Sequence, residues 1–306
     1  MISDNLTTLN GKSVKDFDAQ TGISNLESTV YRLRLDYDGF EDGKNIPDMI
    51  GDFIQDANAG QVEELIIGAF DFEGGDTSAI AQALVDAAPK LPKLKSLFIG
   101  DITYEEYEIS WINQCDLSAV LKAYPALEYF RVRGGNELSL GKSLQHTGLR
   151  HLIIETGGLP PGVVTEVVSA HLPNLEHLEL WLGSDEYGFG STAADFDSVF
   201  QGANFTRLRY LGLRDSVIAD DLARALSTAP IVNQLDVLDL SMGTLGDDGA
   251  KALLQSPAIG KLKLLDLHYH FISEEVCNQL EKLGIAVNLK DRQQDDEGHR
   301  YIQVAE

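Results

Sequence analysis

The sequence predicts an α/β solenoid, in which short strands and helices alternate along the chain. A six-residue phrase (apolar, two variable residues, apolar, one variable residue, apolar) returns nine times at intervals of 22 to 33 residues. Most copies are followed by a loop and then by apolar residues at helical spacing. Such a unit cannot bury its apolar face alone, so successive units must stack. We therefore expect a curved horseshoe with parallel strands on the concave face and helices on the convex face.

The strands of this solenoid are predicted from the phrase itself. Its clear copies are LKSLFI, LEHLEL, LRYLGL, LDVLDL and LKLLDL, which begin at Leu94, Leu175, Leu208, Leu235 and Leu262. Weaker copies begin at Val30, Val62, Leu127 and Leu149. The phrase and its spacing are typical of leucine-rich repeats, and they assign residues 30–283 to the solenoid.

Helical patterns follow the strands in regular order. PDMIGDFIQDA, from Pro47, has Met49, Ile50 and Phe53 on one side and a proline in its first turn. The repeat from Leu127 is the exception, since its GGNELSLGKSLQHT segment is too short and too rich in glycine for a full helix. Further helices are predicted over 77–88, 163–171, 195–200, 220–226, 247–254 and 274–283.

Both ends of the chain lack the phrase and are interpreted as caps. Residues 1–29 carry a few apolar side chains among polar ones, and we expect them to cover the open end of the first repeat. Residues 284–306 form the second cap. In it, GIAVNL is expected to add a strand, and RYIQV is expected to form another after a polar turn.

One repeat carries a more specific resemblance. Residues 238–256, LDLSMGTLGDDGAKALLQS, resemble the LxLSxNxLGDEGAxxLA pattern of ribonuclease-inhibitor-like leucine-rich repeats. With its RLRLDYDGF start, LELWLGSDEYG middle and HRYIQVAE end, the chain as a whole resembles an uncharacterised family of bacterial leucine-rich repeat proteins. Members of that family are often encoded beside radical SAM and ATP-grasp enzymes. The resemblance therefore implies a pathway shared with enzymes encoded nearby and assigns no activity to the chain.

The acidic composition excludes several classes of partner. The formal net charge is −24, whereas nucleic acids and anionic membranes are bound by surfaces rich in Lys and Arg. The chain has two cysteines, no apolar leader segment and no apolar run that approaches the ~18 residues of a membrane span. We expect a cytoplasmic protein that binds neither nucleic acid nor membrane and holds no cofactor.

The alternation of side chains along a strand identifies the residues that should face solvent. If the first, fourth and sixth phrase positions point into the core, the third, fifth and seventh face the concave side. These positions hold five arginines and six carboxylates, so most of the negative charge lies elsewhere. Because Trp, Tyr and Arg dominate binding hot spots, we predict a non-enzymatic module that binds a protein or peptide with acidic or aromatic anchors. The predicted partner-binding patch is Tyr129, Arg131, Arg133, His151, His177, Trp181, Tyr210 and Arg214.

The residues leave two alternatives. The first is a metal-binding protein or metal-dependent enzyme, since LDLHYHF places Asp266, His268 and His270 at alternate positions of one strand. Imidazoles in this spacing can share a metal ion, with a further ligand such as His299. The second alternative is that the chain is a substrate or accessory of modifying enzymes encoded nearby, with its exposed C-terminal tail as the modified part.

Overall fold

The computed structural model describes residues 2–305, which divide into two compact units. The described residues of the first unit are 2–142 and 146–149, and those of the second are 143–145 and 150–305. The first unit contains β1 (Thr8–Leu9), β2 (Lys12–Asp16), β3 (Thr29–Leu33), β4 (Glu64–Gly68), β5 (Ser96–Asp101), β6 (Tyr129–Arg133), α1 (Tyr37–Glu41), α2 (Ile46–Phe53), α3 (Ser78–Ala87) and α4 (Ser118–Ala123). The second contains β7 (His151–Glu155), β8 (His177–Gly183), β9 (Tyr210–Ser216), β10 (Val237–Asp239), β11 (Leu264–Asp266), β12 (Ala286–Asn288), α5 (Pro161–Val168), α6 (Asp197–Phe200), α7 (Ala219–Leu226), α8 (Asp247–Leu254) and α9 (Glu274–Leu280).

Within each unit the strands pair in the order of the chain. β1 and β2 form an antiparallel hairpin, and every later pair inside a unit is parallel. Each of the nine phrases contains one strand, β3 to β11. From β4 to β6 and from β7 to β11 equivalent phrase positions are aligned, as Ser96 is with Tyr129 and Val237 is with Leu264. Between β3 and β4 the register is shifted by two phrase positions, so that Arg32 is paired with Ile66. The structure is therefore an α/β arrangement of stacked, mostly parallel strands, which is compatible with a repeat solenoid.

The helices lie close to their predicted positions. α2, α3 and α5 to α9 begin and end within a few residues of the predicted bounds. The sequence pattern does not reveal α1 and α4, because five and six residues are too few to show a helical period. Residues 134–150 form no helix, as the glycine-rich segment indicates. None of the helices formed by the described residues is long and apolar enough to cross a membrane.

The N-terminal segment covers more of the first unit than the sequence predicts. β2 pairs with β3, as a cap would. Residues 2–10, which we call the N-terminal strap, also lie across the face of β3 to β5 that carries the third and fifth phrase positions. The backbone N–H of Leu6 donates to the carboxylate of Asp101 at 3.1 Å, and the side-chain amide of Asn10 donates to Glu64 at 2.9 Å.

Apolar packing completes this cover. Leu9 of the strap packs with Val30, Ile66 and Phe98, and all four side chains are buried. Ile66 and Phe98 occupy fifth positions, which are expected to face solvent, and the register places Val30 on their side of the sheet. The expectation of an open concave face is therefore wrong for the first unit, because the strap removes these apolar side chains from water.

The C-terminal cap consists of one strand and an extended tail. β12 pairs with β11, as predicted for GIAVNL. Residues 300–304, predicted as a strand, do not form one. Instead, the Gln303 N–H donates to the Met242 carbonyl at 2.9 Å, and the Val304 N–H donates to the Asp215 carboxylate at 3.0 Å. Ile302 and Val304 are buried, so the tail is docked onto the second unit and is not a free segment.

The anchor of the tail predicts a pH dependence of stability. Asp215 is fully buried, and burial raises its pKa to about 8. Between the unfolded pKa of about 3.9 and the folded value, the folded chain holds a proton that the unfolded chain releases. Stability should therefore fall as pH rises through this window, by at most about 1.4 kcal/mol per pH unit.

Asp215→Asn should remove this component and flatten the pH profile. Asn is the matched replacement because it keeps the acceptor for Val304 and tolerates the left-handed backbone at this position, where φ is 52°. The measurement is the free energy of unfolding by denaturant at several pH values between 5 and 9. Identical pH profiles for the two proteins would contradict the assignment.

Candidate functional site

Side chains of the second unit form rows across its strands. We call the polar face the side of β7 to β11 that carries the third, fifth and seventh phrase positions. The parallel register aligns His151 with His177 and His177 with Tyr210, and it aligns Trp181 with Arg214. Five of the eight residues of the predicted patch are therefore neighbours on one face.

Three rings of the first row stack into a ladder. The ring centroids of His151 and His177 are 5.3 Å apart. Those of His177 and Tyr210 are 3.8 Å apart, with planes 7° from parallel. Burial, and then the charges of His177 and Arg150, lower the pKa of His151. The three residues of the ring ladder (His151, His177 and Tyr210) are half-buried.

Charged side chains lie beside the ring ladder. The Arg214 guanidinium donates to Glu179 at 2.7 Å, and its Nε lies 3.3 Å from Asp239. The Tyr210 hydroxyl donates to Asp239 at 2.7 Å. We call Glu179, Tyr210, Arg214 and Asp239 the ionic cluster. Trp181, predicted to face solvent, is only 8% exposed, because its ring lies under Arg214 and its Nε1 donates to Glu179 at 2.8 Å.

Gly212 makes room for the ionic cluster. The register places it between Glu179 and Asp239. A Cβ at Gly212 would lie 3.0 Å from Cε1 of Tyr210 and 3.3 Å from Cγ of Glu179. The missing side chain therefore lets the Tyr210 ring lie against the backbone of β9 and reach both carboxylates.

Burial and charge together fix the ionisation of this cluster. Burial by itself raises the pKa of Glu179, but the His177 hydrogen bond and the Arg214 charge outweigh it and hold that pKa well below its ordinary range. Burial and the charges of Glu179 and Asp239 raise the pKa of Tyr210, whose hydroxyl stays protonated. Burial lowers the pKa of Arg214, but the two carboxylates outweigh it and raise that pKa overall. The charge of Arg214 is therefore balanced by its own neighbours.

The patch residues of the first unit are less accessible than predicted. Arg133 is 3% exposed, and its guanidinium donates to the Ile102 carbonyl at 2.5 Å. Arg131 lies over the ring of Phe98, 4.3 Å from its centroid. Tyr129 packs against the apolar cluster that contains Leu9 of the strap. Tyr129 and Arg131 are half-buried, whereas Arg133 is buried.

The structure does not bring the three candidate metal ligands into one group. Among residues 2–305, no three His, Cys, Asp or Glu side chains form a cluster that could hold a metal ion. His268 bonds to Asp266 at 2.7 Å. Both ring nitrogens of His270 are used by backbone groups, those of Leu289 and Ile272. The predicted alternation of Asp266, His268 and His270 along one strand does not occur, because the chain leaves β11 after Asp266 and Tyr269 adopts a left-handed conformation with φ of 55°.

The predicted patch omits Glu179, Gly212 and Asp239, although these residues hold it together. All three occupy fifth positions of successive phrases, beside Arg214 at a seventh position. A glycine flanked by carboxylates in one row, next to an arginine in the adjacent row, is a pattern that could have revealed the ionic cluster.

Comparison with known proteins gives a family. The chain matches no protein-family model and no curated protein. A protein from Bacteroides fragilis, whose crystal structure was determined as a structural genomics target, is 35% identical to it. The two structures superpose with a TM-score of 0.82 over 89% of this chain and 76% of that one. The chain belongs to the family of this Bacteroides fragilis protein. Membership in the family establishes the fold and assigns no activity.

The ionic cluster predicts the effect of Glu179→Gln. This change leaves Arg214 with one carboxylate partner in place of two, and it should lower the free energy of unfolding at pH 7 by about 3 kcal/mol. Because the folded pKa of Glu179 is depressed, its ionised carboxylate stabilises the native chain fully above the unfolded pKa of about 4.3. This stabilisation decreases as pH falls below that value, and the variant lacks it at every pH. The variant should therefore lose less stability than the native chain on acidification.

Denaturant unfolding at pH 7 and pH 3 measures both effects. Glu176→Gln is the matched control, since it breaks only the solvent-exposed pair with Arg150 and should cost less than about 1 kcal/mol. Equal effects of the two substitutions would contradict the role of the cluster.

Proposed function

We propose that the protein is a non-enzymatic, cytoplasmic leucine-rich repeat module that binds a protein or peptide on the polar face of its second unit. The leucine-rich repeat assignment is supported by the nine phrases, each of which contains one strand in parallel register with its neighbours. The binding role is carried by one observation, the half-buried ring ladder of His151, His177 and Tyr210 held against the buried carboxylates of Glu179 and Asp239.

The rigidity of this face supports binding. Side chains that become ordered only on association reduce affinity by about 0.5–1.5 kcal/mol each. Here the rings of His177 and Tyr210 are already stacked, and the Tyr210 hydroxyl is already bonded to Asp239. A partner would therefore meet side chains that have lost their rotamer freedom before it arrives.

The charge balance of the polar face limits the side chains that a partner could use as anchors. The sequence suggests acidic or aromatic anchors, yet Arg214 is neutralised by Glu179 and Asp239, and Arg133 is buried. An acidic anchor would have to compete with these carboxylates. The ring ladder offers half-buried aromatic surface, which suits an aromatic side chain of the partner. We therefore favour an aromatic anchor over an acidic one.

The test uses the two histidines of the ladder. His151→Ala with His177→Ala should lower the affinity for the partner by about tenfold or more, since the partner's aromatic anchor loses its stacking surface. His171→Ala is the matched control, because His171 is an exposed histidine of the same unit outside the ladder. Partners retained from extracts of the native organism are identified by mass spectrometry, and the dissociation constant of each purified partner is then measured for the three proteins. Equal affinities of the double variant and the control would overturn the site.

A further inference from the structure

Three loops of the first unit share an unusual composition. They are residues 36–43 (DYDGFEDG), which follow β3 and include the short helix α1, residues 71–76 (DFEGGD), which follow β4, and residues 101–108 (DITYEEYE), which begin at the last residue of β5. Together they contain eleven carboxylates and no lysine or arginine. Aromatic residues alternate with the acids in all three loops, which a coat serving only solubility does not require.

The aromatic side chains of this region are exposed. Tyr37 is 60% exposed, Tyr104 is 37% exposed, and Trp111, just after the third loop, is 54% exposed. They are three of the four large apolar side chains that are exposed among residues 2–305, and the fourth, Tyr301, lies in the other unit. Exposed apolar side chains gathered in one place mark interaction sites more often than scattered ones do.

The three loops form one surface, because β3, β4 and β5 are parallel neighbours and their carboxyl ends share an edge. The ring of Phe72 contacts those of Tyr37 and Phe40, with centroids 5.8 Å and 5.6 Å away. The side-chain amide of Asn113 donates to the Gly74 carbonyl at 2.8 Å and joins the second loop to the segment that follows the third. We call residues 36–43, 71–76 and 101–111 the acidic–aromatic edge.

Most of the negative charge on this edge faces solvent. Two of its carboxylates pair with arginines of β3 and its end, Asp101 with Arg32 at 2.8 Å and Glu106 with Arg34. The exposed carboxylates are Asp36, Asp38, Glu41, Asp42, Glu73, Asp76, Glu105 and Glu108. Acids and aromatic rings side by side attract a cation in two ways, by Coulomb attraction and by cation–π contact.

We propose that the acidic–aromatic edge docks a lysine- and arginine-rich segment of a partner protein. The long stems of lysine and arginine pack on the exposed rings while their charged ends reach the surrounding carboxylates. This surface lies in the first unit and uses residues outside the ring ladder, so the proposal does not depend on the function proposed for the second unit.

The probe is a fluorescein-labelled ten-residue peptide in which lysine and arginine alternate with serine, titrated at 50 mM salt and followed by fluorescence anisotropy. The chain as a whole is acidic, so the decisive variants leave its charge unchanged. Tyr37→Ala with Trp111→Ala should lower the affinity for the peptide about tenfold, because each cation–π contact contributes about 0.5–1 kcal/mol. Tyr301→Ala, which removes an equally exposed ring elsewhere, should leave the affinity unchanged.

Charge substitutions give an independent measurement. Glu73→Gln with Glu105→Gln should weaken the peptide more than Glu275→Gln with Glu281→Gln, which removes the same charge from an exposed part of the second unit. His151→Ala with His177→Ala should have no effect on this peptide, which separates the two surfaces. Thermal melts check folding, and the exposure of Tyr37 and Trp111 predicts small changes there.

Tryptophan emission locates the bound peptide. Trp111 is exposed and Trp181 is buried, so peptide binding should change the emission of the native chain and leave that of Trp111→Phe unchanged. The proposal is overturned if the peptide does not bind. It is also overturned if Tyr37→Ala with Trp111→Ala binds as the native chain does, or if both pairs of charge substitutions weaken binding equally. In the latter cases the attraction is diffuse and the edge has no special role.

Discussion

The parallel register of equivalent phrase positions is the constraint on which the other features depend. In β7 to β10 third phrase positions align with third positions and fifth with fifth, so the side chains at one position form a row that crosses several strands. The ring ladder exists because the third positions of β7, β8 and β9 all hold planar side chains. The ionic cluster exists because fifth positions of β8 and β10 hold acids while the one between them is Gly212. A shift of one residue would move these side chains to the opposite face.

The same register explains why the arginines of the sheet are not free. A buried guanidinium is tolerated only when carboxylates or carbonyls accept its hydrogen bonds. Arg214 has Glu179 and Asp239, Arg32 has Asp16 and Asp101, and Arg133 has the Ile102 carbonyl. The near-neutral charge of these positions therefore reflects internal pairing, which a count of charges along the strands cannot distinguish from an open basic surface.

The sequence predicts the strands and helices that repeat with a regular period, but it does not predict contacts between residues far apart in the chain. The strands β3 to β11 and seven helices follow from local spacing of apolar residues, which the phrase makes plain. The N-terminal strap could not be predicted, because Leu9 finds Ile66 and Phe98 through contacts far away in the chain. The third loop, DITYEEYE, shows its acids in the sequence, but only the fold brings them beside DYDGFEDG and DFEGGD.

The candidate site shows the same division. The five patch residues of the second unit are neighbours because each was placed by its phrase position. Arg133 and Trp181 are buried because neighbouring side chains close over them, a result that alternation alone cannot give. The predicted alternation does not hold for His270, for another reason. Tyr269 takes a left-handed backbone conformation, and this reverses the alternation on which the metal hypothesis depends.

The carboxylates of the chain fall into two groups, buried ones on the sheet and exposed ones in loops, and the two groups affect stability in opposite directions. Carboxylates on the sheet, such as Glu179 and Asp101, are buried and balance arginines, so they stabilise the fold. Those in the loops after β3, β4 and β5 are exposed among aromatic rings and repel one another, so they cost stability at low salt. Charge repulsion concentrated on one edge is relieved when a cationic segment binds there. This relief gives the exposed acids a physical reason to lie beside Tyr37 and Trp111, where a cation can be held by both.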